Sequence, residues 1–463
     1  MGVSFVTMVM SMQMVTVALS AIADDYQVTL RAVAWVVIAQ ALTISALMMP
    51  MGRLADIIGR KRVHLTGLVL FAGGAIFTAL APTFGLLIFS RVVMAVGNAM
   101  GQSVGTAMVI SVFPAEERGK AIGSQTTAVA IGGASGPMVA GLVLQVLSWQ
   151  WLFWILIPPI AIAFVAGYFI LDENRVSQRS GGRRPSFDWP GALLSGVAII
   201  LAVVLINNPL GEKWVSPLML GGLFSVIVLF AAFIAWELRI PSPMLQLRMF
   251  RNAVFSMSVA TRFVGFLGTT ATRFLMPIFL ISFRGIQEGA AGVMLFLLSL
   301  GMGMAAQTTG RLSDRFGEKR FTVAGFAVLV VTSVAFAFTT AETPLWWLLT
   351  VLFVNGLAMG LWNVPNNSMI MGSVTRANYG VVGAFTNLTR NLGNVMGQAI
   401  VTAVIVGVMV ARGFDIPLSD IAGNAGAEGA FIYGWKVAYL LVTGFSALGL
   451  LLSVMTRPNR ETV

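Results

Sequence analysis

Four arginines lie within long apolar runs of the chain: Arg91, Arg262, Arg273 and Arg390. A guanidinium group inside a membrane is costly, so such a residue lines a polar cavity, pairs with another group or binds an anion. The usual residues of bond-breaking chemistry are scarce, because the sequence has no cysteine and one histidine. It also lacks a phosphate-binding loop of the form G-x-x-x-x-G-K-[ST]. We therefore do not expect an enzyme, and we expect that ATP is not the fuel.

Amide side chains recur at helical spacing around Arg390, and a polar stripe of this kind must face protein or water. Arg262 and Arg273 are eleven residues apart, which places them on nearly the same helix face and about 16 Å apart along the axis. The predicted substrate cavity comprises Gln13, Arg262, Asn363, Asn387, Arg390, Asn394 and Gln398. Two interpretations remain open. The arginines reach the membrane interface or bond neighbouring carbonyls, or they hold an anionic head group.

Composition predicts that lipid surrounds most of the chain. Mean hydropathy is +0.87, and hydrophobic residues make up 57% of the 463, more than a soluble domain can bury. We predict an all-α membrane protein of fourteen spanning helices, each about as long as a bilayer requires. The predicted segments are 3–22, 33–51, 63–81, 84–111, 121–147, 151–171, 189–206, 217–236, 253–282, 289–310, 321–340, 345–365, 380–410 and 433–455.

The distribution of basic residues orients these segments. Alternate loops and the C-terminal tail contain about twenty of the 29 lysines and arginines, whereas the other loops contain about five. The positive-inside rule therefore predicts that both termini are cytoplasmic. The net charge of +11 follows from this topology and does not call for a nucleic-acid partner.

A charged segment occurs twice, as GRLADIIGRKR at 52–62 and as GRLSDRFGEKR at 310–320, with seven of eleven positions identical. Because both copies fall between apolar runs, we interpret them as cytoplasmic loops of two related six-helix halves. The predicted domains are an N-terminal bundle (1–171), a cytoplasmic linker (172–188), two inserted helices (189–236), a second linker (237–252) and a C-terminal bundle (253–463). Parallel repeats of this kind suit alternating access.

The repeated segment resembles the loop signature of the major facilitator superfamily, and the chain is similar to its fourteen-helix drug:proton antiporter branch. The resemblance implies that Asp56 meets the N-terminus of a helix in the other half and latches the outward-open state. A carboxylate is favourable at a helix N-terminus. We expect Asp314 to act in the same way, although Glu318 replaces Arg60 there. The predicted latch residues are Gly52, Asp56, Gly59, Arg60, Lys61, Gly310, Asp314, Gly317 and Lys319.

Two further segments resemble signatures of this branch. The fifth predicted helix has Gly123, Gly132, Gly136, Pro137 and Gly141 in the order of the antiporter signature, with Ala140 in place of one glycine. Small residues of this kind also allow close helix packing in general. In the fourth predicted helix, the resemblance assigns proton coupling to Arg91.

One departure from the family pattern bears on the cargo. The aspartate that the family places in the first helix falls on Ser11, and we assign all 18 acidic residues to loops or the tail. An exporter of organic cations normally needs a buried carboxylate.

Our first hypothesis is a secondary transporter in the bacterial cytoplasmic membrane that exports amphiphilic small molecules, with the proton gradient as the energy source and no cofactor or metal. The expected partners are the lipid bilayer and the cargo, and we expect a monomer. One alternative is export of an anionic amphiphile, such as a lipid, a fatty acid or an acidic metabolite. Another is a membrane sensor or scaffold without transport.

Overall fold

A computed structural model describes residues 1–173, 187–208, 216–375, 378–414, 421 and 426–456 of the chain. Within these ranges every regular element is helical. Residues 174–186 of the predicted linker, Lys213 and Arg376 lie outside the described residues, as does the C-terminal tail that follows Thr456.

Within the described residues 1–171, nine α-helices precede the predicted linker at 172–188. The first two, α1 and α2, form a bent pair whose axes differ by 61°. The elements are α1 (Gly2–Val17), α2 (Leu19–Asp25), α3 (Leu30–Val33), α4 (Trp35–Ile58), α5 (Arg60–Ala79), α6 (Phe84–Ser111), α7 (Arg118–Val146), α8 (Trp151–Trp154) and α9 (Ile157–Ile170). The inserted pair that follows is α10 (Trp189–Asn207) and α11 (Pro217–Glu237).

The remaining helices are α12 (Ala253–Ile278), α13 (Glu288–Phe316), α14 (Glu318–Ala337), α15 (Leu345–Gly372), α16 (Tyr379–Ala411) and α17 (Ala427–Met455). Short 3-10 helices precede α7 and α12, and a π-helical turn, Phe279–Phe283, extends α12. By length and composition, 13 helices among the described residues can span a membrane, or 14 if the bent pair is one span. The predicted all-α membrane fold is confirmed.

The repeated segment is not the loop that the sequence suggested. Its first seven residues complete α4 in one copy and α13 in the other, and the next helix begins directly after one glycine. Gly59 has φ 110° and Gly317 has φ 92°, values that strain any residue with a side chain. A single glycine therefore turns the chain between two helices, and the charged residues around it are helical.

The chain divides into two compact units. Unit 1 comprises Met1–Ala115, Ser135–Asn252 and Met371–Leu388, and unit 2 comprises Glu116–Ala134, Ala253–Ile370 and Thr389–Val463. These bounds differ from the predicted domains because two helices are divided between the units. The N-terminal part of α7, up to Ala134, belongs to unit 2, and the N-terminal part of α16, up to Leu388, belongs to unit 1. Each of these parts contacts the repeat segment of its own unit. The predicted domain boundaries remain a prediction.

Each unit has its own apolar core. In unit 1, α5 packs on α6 and α6 on α4, around buried residues that include Phe71, Met94 and Phe153. In unit 2, α12 and α14 pack on α17, and the core includes Phe336 and Trp435. These cores hold in place the polar side chains considered next.

Candidate functional site

In unit 1, the first repeat segment packs on the N-terminal turn of α16. Oδ2 of Asp56 accepts a hydrogen bond from the backbone N–H of Val381 at 3.2 Å, and its carboxylate lies against Gly380, where a Cβ would overlap with it. Gly52 allows this approach, because a Cβ there would lie 2.6 Å from the Cβ of Ala384. Arg60 donates to Oδ1 of Asp56 at 3.0 Å, so the charge of this largely buried carboxylate is balanced.

In unit 2, the second repeat segment makes the equivalent contact with α7. Oδ1 and Oδ2 of Asp314 accept hydrogen bonds from the backbone N–H groups of Gly119 at 2.7 Å and Lys120 at 3.0 Å. The backbones of Gly119 and Gly310 touch, with no room for a Cβ on either residue. Each aspartate thus caps a helix N-terminus, where unpaired N–H groups and the helix dipole favour a negative charge.

The two contacts differ in their surrounding charges. Asp56 has a buried arginine beside it, whereas Asp314 has the like charges of Glu318 and Glu117 within electrostatic reach. Glu318, at the position equivalent to Arg60, accepts instead from the hydroxyl of Ser368 at 3.2 Å. The contact in unit 2 therefore relies more on backbone N–H groups, and the contact in unit 1 more on an ion pair.

The repeated lysines, Lys61 and Lys319, link the helix that follows each repeat glycine to a second helix of the same unit. Nζ of Lys61 donates to the carbonyl oxygen of Tyr168 near the end of α9 at 2.8 Å. Nζ of Lys319 donates to the carbonyl oxygen of Val454 near the end of α17 at 2.6 Å. Carbonyls in the last turn of a helix lack partners within the helix, so a cation stabilises them.

The glycines of α7 differ in their surroundings. A Cβ on Gly123 would lie 2.6 Å from the carbonyl oxygen of Ala306 on α13 in unit 2, and a Cβ on Gly136 would lie 2.9 Å from that of Met10 on α1 in unit 1. Gly141 has no neighbour within 4 Å of such a Cβ. Gly132 and Pro137 also lie within α7, which continues past the proline.

Arg91 lies inside unit 1 and is completely buried. Its guanidinium donates to Oε1 of Gln40 on α4 and contacts the sulfur of Met94 at 3.3 Å. The ring of Phe153 lies 5.5 Å from its Cζ atom. These partners are neutral, so Arg91 introduces a positive charge into the bundle of unit 1.

In unit 2, α12 contributes two arginines and α16 contributes a third. Arg262 donates to Oδ1 of Asn363 at 2.8 Å and lies 5.1 Å from the ring centroid of Phe266. Arg273 contacts the sulfur atoms of two buried methionines, Met302 at 3.3 Å and Met359 at 4.0 Å, and yet remains exposed. The charge of Arg390 acts on both Arg262 and Arg273. A positive charge on α16 therefore interacts with two positive charges on α12.

The predicted cavity residues fall in both units. Asn394 of unit 2 accepts a hydrogen bond from the hydroxyl of Thr270 at 2.6 Å, and Gln398 is exposed. Asn387 belongs to unit 1, where it is buried and donates to the carbonyl oxygen of Gln102 at 3.0 Å. Gln13 is also in unit 1 and is exposed. Of the seven predicted residues, Arg262, Asn363, Arg390, Asn394 and Gln398 belong to unit 2.

The acidic residues that belong to described helices all lie in a first or last turn. In α1–α17 they are Asp24, Asp25, Asp56, Glu237, Glu288, Asp314, Glu318 and Glu428, and the 3-10 helix before α7 adds Glu116 and Glu117. No carboxylate therefore occupies the middle of a described spanning helix, whereas the arginines do.

A family model described as Major Facilitator Superfamily matches residues 1–398. The chain belongs to this superfamily. It is an integral membrane transporter and not an enzyme, as the sequence predicted.

Riboflavin transporter RibZ of Clostridioides difficile (strain 630) is 30% identical over 378 residues, which are 82% of this chain and 81% of that protein. Methylenomycin A resistance protein of Bacillus subtilis (strain 168) is 26% identical, and the matched region is 88% of this chain and 86% of that protein. The crystal structure of the human organic anion transporter MFSD10 (TETRAN) matches with a TM-score of 0.63 and 16% identity. The superposition covers 96% of this chain and 98% of the MFSD10 chain. At this identity the similarity concerns the fold alone.

Several contact residues of this major facilitator transporter escaped the sequence analysis. Gln40, the partner of Arg91, is a lone amide in an apolar segment, and that feature could have drawn attention to it. Thr270 had no such signal, because threonine is common in spanning helices and usually bonds its own backbone. Val381 and Gly119 contribute backbone N–H groups, which no side-chain pattern reveals.

Proposed function

We propose that this transporter exports amphiphilic small molecules by alternating access and that its preferred cargo carries a negative charge. The observation that carries the proposal is the group of three arginines in unit 2, Arg262, Arg273 and Arg390. The described helices place no carboxylate at a comparable position within their apolar middle.

Electrostatics favours an anion at this group. The positive charge of Arg390 repels those of Arg262 and Arg273, and the burial of Arg262 strengthens its part of that repulsion. The two thioether sulfurs beside Arg273 are neutral and weak acceptors, so they offset little of the repulsion at that residue. An anionic head group would relieve the repulsion and form charge-assisted hydrogen bonds with the guanidinium groups.

The apolar side chains beside these arginines support an amphiphile rather than an inorganic ion. Phe266 lies beside Arg262, and Met302 and Met359 lie beside Arg273. Methionine is flexible and polarizable, so it adapts to apolar groups of different shapes. A cargo with a charged head and an apolar body would match both parts of this site.

The relatives support transport of small organic molecules. A relative named for methylenomycin A resistance favours efflux, and we extend that direction of transport to this chain. The riboflavin transporter, at 30% identity, favours a second candidate function, which is movement of one dedicated metabolite. The aspartate contacts with α16 and α7 suit a protein that changes conformation, and we propose that they latch one state.

We further propose that the proton gradient drives export, with Arg91 in the coupling role that the family resemblance implies. The excess of basic residues in alternate loops supports a bacterial cytoplasmic membrane with both termini in the cytoplasm. The proposed working form is a monomer in the bilayer.

The cargo charge can be tested with Arg273→Gln in proteoliposomes. Arg273 is the suitable target because it is exposed and its contacts to sulfur are weak. Loss of one charge-assisted hydrogen bond costs roughly 1.5–3 kcal/mol, so KM for a labelled anionic amphiphile should rise about tenfold or more. The matched control is Arg239→Gln, since Arg239 is exposed and follows α11.

A neutral analogue of the same probe distinguishes charge recognition from general damage. We expect Arg273→Gln to leave KM for the neutral analogue within about twofold of wild type. An equal rise for both probes, or no rise for the anion, would contradict an anionic cargo while leaving export of amphiphiles intact.

A further inference from the structure

Two acidic residues that the sequence places 49 positions apart meet at one end of the inserted helix pair in unit 1. Asp188 caps α10, accepting a hydrogen bond from the backbone N–H of Gly191 at 3.0 Å. The indole N–H of Trp236 on α11 donates to the same oxygen, Oδ1 of Asp188, at 2.9 Å. Glu237, the last residue of α11, accepts through Oε2 from the backbone N–H of Leu245 at 3.1 Å. Each carboxyl group thus uses one oxygen to hold the local structure.

The second oxygen of each group is buried and has no hydrogen-bond partner among the residues that the structure describes. These atoms are Oδ2 of Asp188 and Oε1 of Glu237, and the two residues are only 2% and 3% exposed. Both atoms lie against Gly191, where a Cβ would come within 2.9 Å of Oε1 of Glu237 and would overlap with Oδ2 of Asp188. The two carboxyl groups therefore lie side by side over the same glycine. Glycine at position 191 leaves room for this approach.

Two ionised carboxylates cannot be stable in this arrangement. Like charges at short range repel strongly when water is excluded, and each of the two unbonded oxygens carries a further desolvation cost. One proton between the two groups removes one charge and creates an O–H···O⁻ bond, which is among the strongest hydrogen bonds in proteins. A pair of this kind titrates as a unit.

We propose that Asp188 and Glu237 form a proton-binding site that joins α10, α11 and the segment after α11. The bound proton bridges the two free oxygens. Its release would leave two buried negative charges side by side and would drive the ends of the two helices apart. The site is separate from the arginines of unit 2 and does not depend on the identity of the cargo.

Charged groups on neighbouring elements set the potential at this site. α4 packs on α10, with Gly196 close to the carbonyl oxygen of Ala46. The charged residues at the end of α4 and beyond α11 are Arg53, Asp56, Arg239, Arg248 and Arg251. The bridging proton itself requires both carboxyl groups and none of these residues.

Infrared spectroscopy of the purified full-length protein in lipid nanodiscs tests the proposal directly. We expect wild type to show the C=O band of a protonated carboxyl group near neutral pH, where exposed carboxyl groups are ionised. Glu237→Gln and Asp188→Asn should each abolish that band. Asparagine can still cap α10, so the second variant protects the test against misfolding of the first. Glu342→Gln is the matched control, because Glu342 is exposed, and it should leave the band unchanged.

Thermal unfolding at several pH values gives a second readout. The native pair keeps a proton that the two separate groups of the unfolded chain release, so its stabilisation is complete at low pH and is lost as pH rises through the titration of the pair. We expect the melting temperature of wild type to fall over that range and that of Glu237→Gln to change less. An unchanged band in both variants would overturn the proposal. So would stabilisation by sodium with both groups ionised, because the site would then hold a cation.

Discussion

Replacement of Asp56 by Asn removes a negative charge from the N-terminal turn of α16 with almost no change in size. In the native structure, one carboxylate oxygen accepts from the backbone N–H of Val381 at 3.2 Å and the other pairs with Arg60 at 3.0 Å. Asparagine offers one oxygen in place of two, so either the N–H group or the guanidinium loses its acceptor. The contact between α4 and α16 should therefore weaken.

The magnitude follows from the two bonds. A hydrogen bond to a charged group contributes roughly 1.5–3 kcal/mol, and a negative charge at a helix N-terminus adds about 0.3–1 kcal/mol or more when partly buried. Asparagine keeps one neutral bond worth about 1 kcal/mol. If one charged bond is lost and the neutral bond is kept, the net loss is about 0.8–3 kcal/mol, which lowers the equilibrium constant for the closed contact about fourfold to about 160-fold.

Pulsed electron spin resonance can measure that change, because the chain has no cysteine and two can be introduced for spin labels. Ile58 and Thr375 are exposed and flank the contact. Labels at these positions should show a longer, broader distance distribution in Asp56→Asn than in the unsubstituted chain, and flux in proteoliposomes should fall. Asp24→Asn is the control, since Asp24 is exposed at the end of α2. Identical distances and flux in Asp56→Asn would refute the latch.

Two more predictions concern packing and energy supply. Gly123→Ala places a Cβ 2.6 Å from the carbonyl oxygen of Ala306 and should cost about 1–3 kcal/mol, seen as a lower melting temperature. Gly141→Ala, which meets nothing within 4 Å, should be neutral or stabilising by up to about 1 kcal/mol, so equal losses would argue against the packing explanation. Export should collapse when an uncoupler dissipates the proton gradient, and continued export against a cargo gradient would exclude protons as the energy source.

Much of the fold could be predicted because its signals are local. Fourteen apolar segments and a repeated charged segment led to an all-α membrane protein with related halves, and one predicted helix, Phe84–Ser111, matches the structure at both ends. The repeat segment was misinterpreted because charge alone suggested a loop. Helical hydrogen bonds continue through 52–58, and only the positive φ of Gly59 interrupts them.

The candidate site was less accessible to sequence reasoning. The arginines were identifiable because a charge in an apolar run is unusual, but their partners were not. Asn363, which binds Arg262, belonged to the predicted cavity, whereas Met302 and Met359 beside Arg273 could not be told from other methionines. Asp188 and Glu237 were assigned to separate linkers, and only their burial at the ends of adjacent helices makes them a pair.

The sequence by itself determined that this protein lies in a membrane, that its machinery is duplicated and that its apolar segments carry arginines rather than acids. These properties depend on composition, hydropathy and residue spacing, all of which can be read from the linear sequence. Only the tertiary structure decided which groups meet: Asp56 with a backbone N–H group 325 positions away, Arg91 with an amide 51 positions away, and two carboxyl groups across Gly191. Such contacts arise from how whole helices pack, and no local pattern specifies the register of one helix against another.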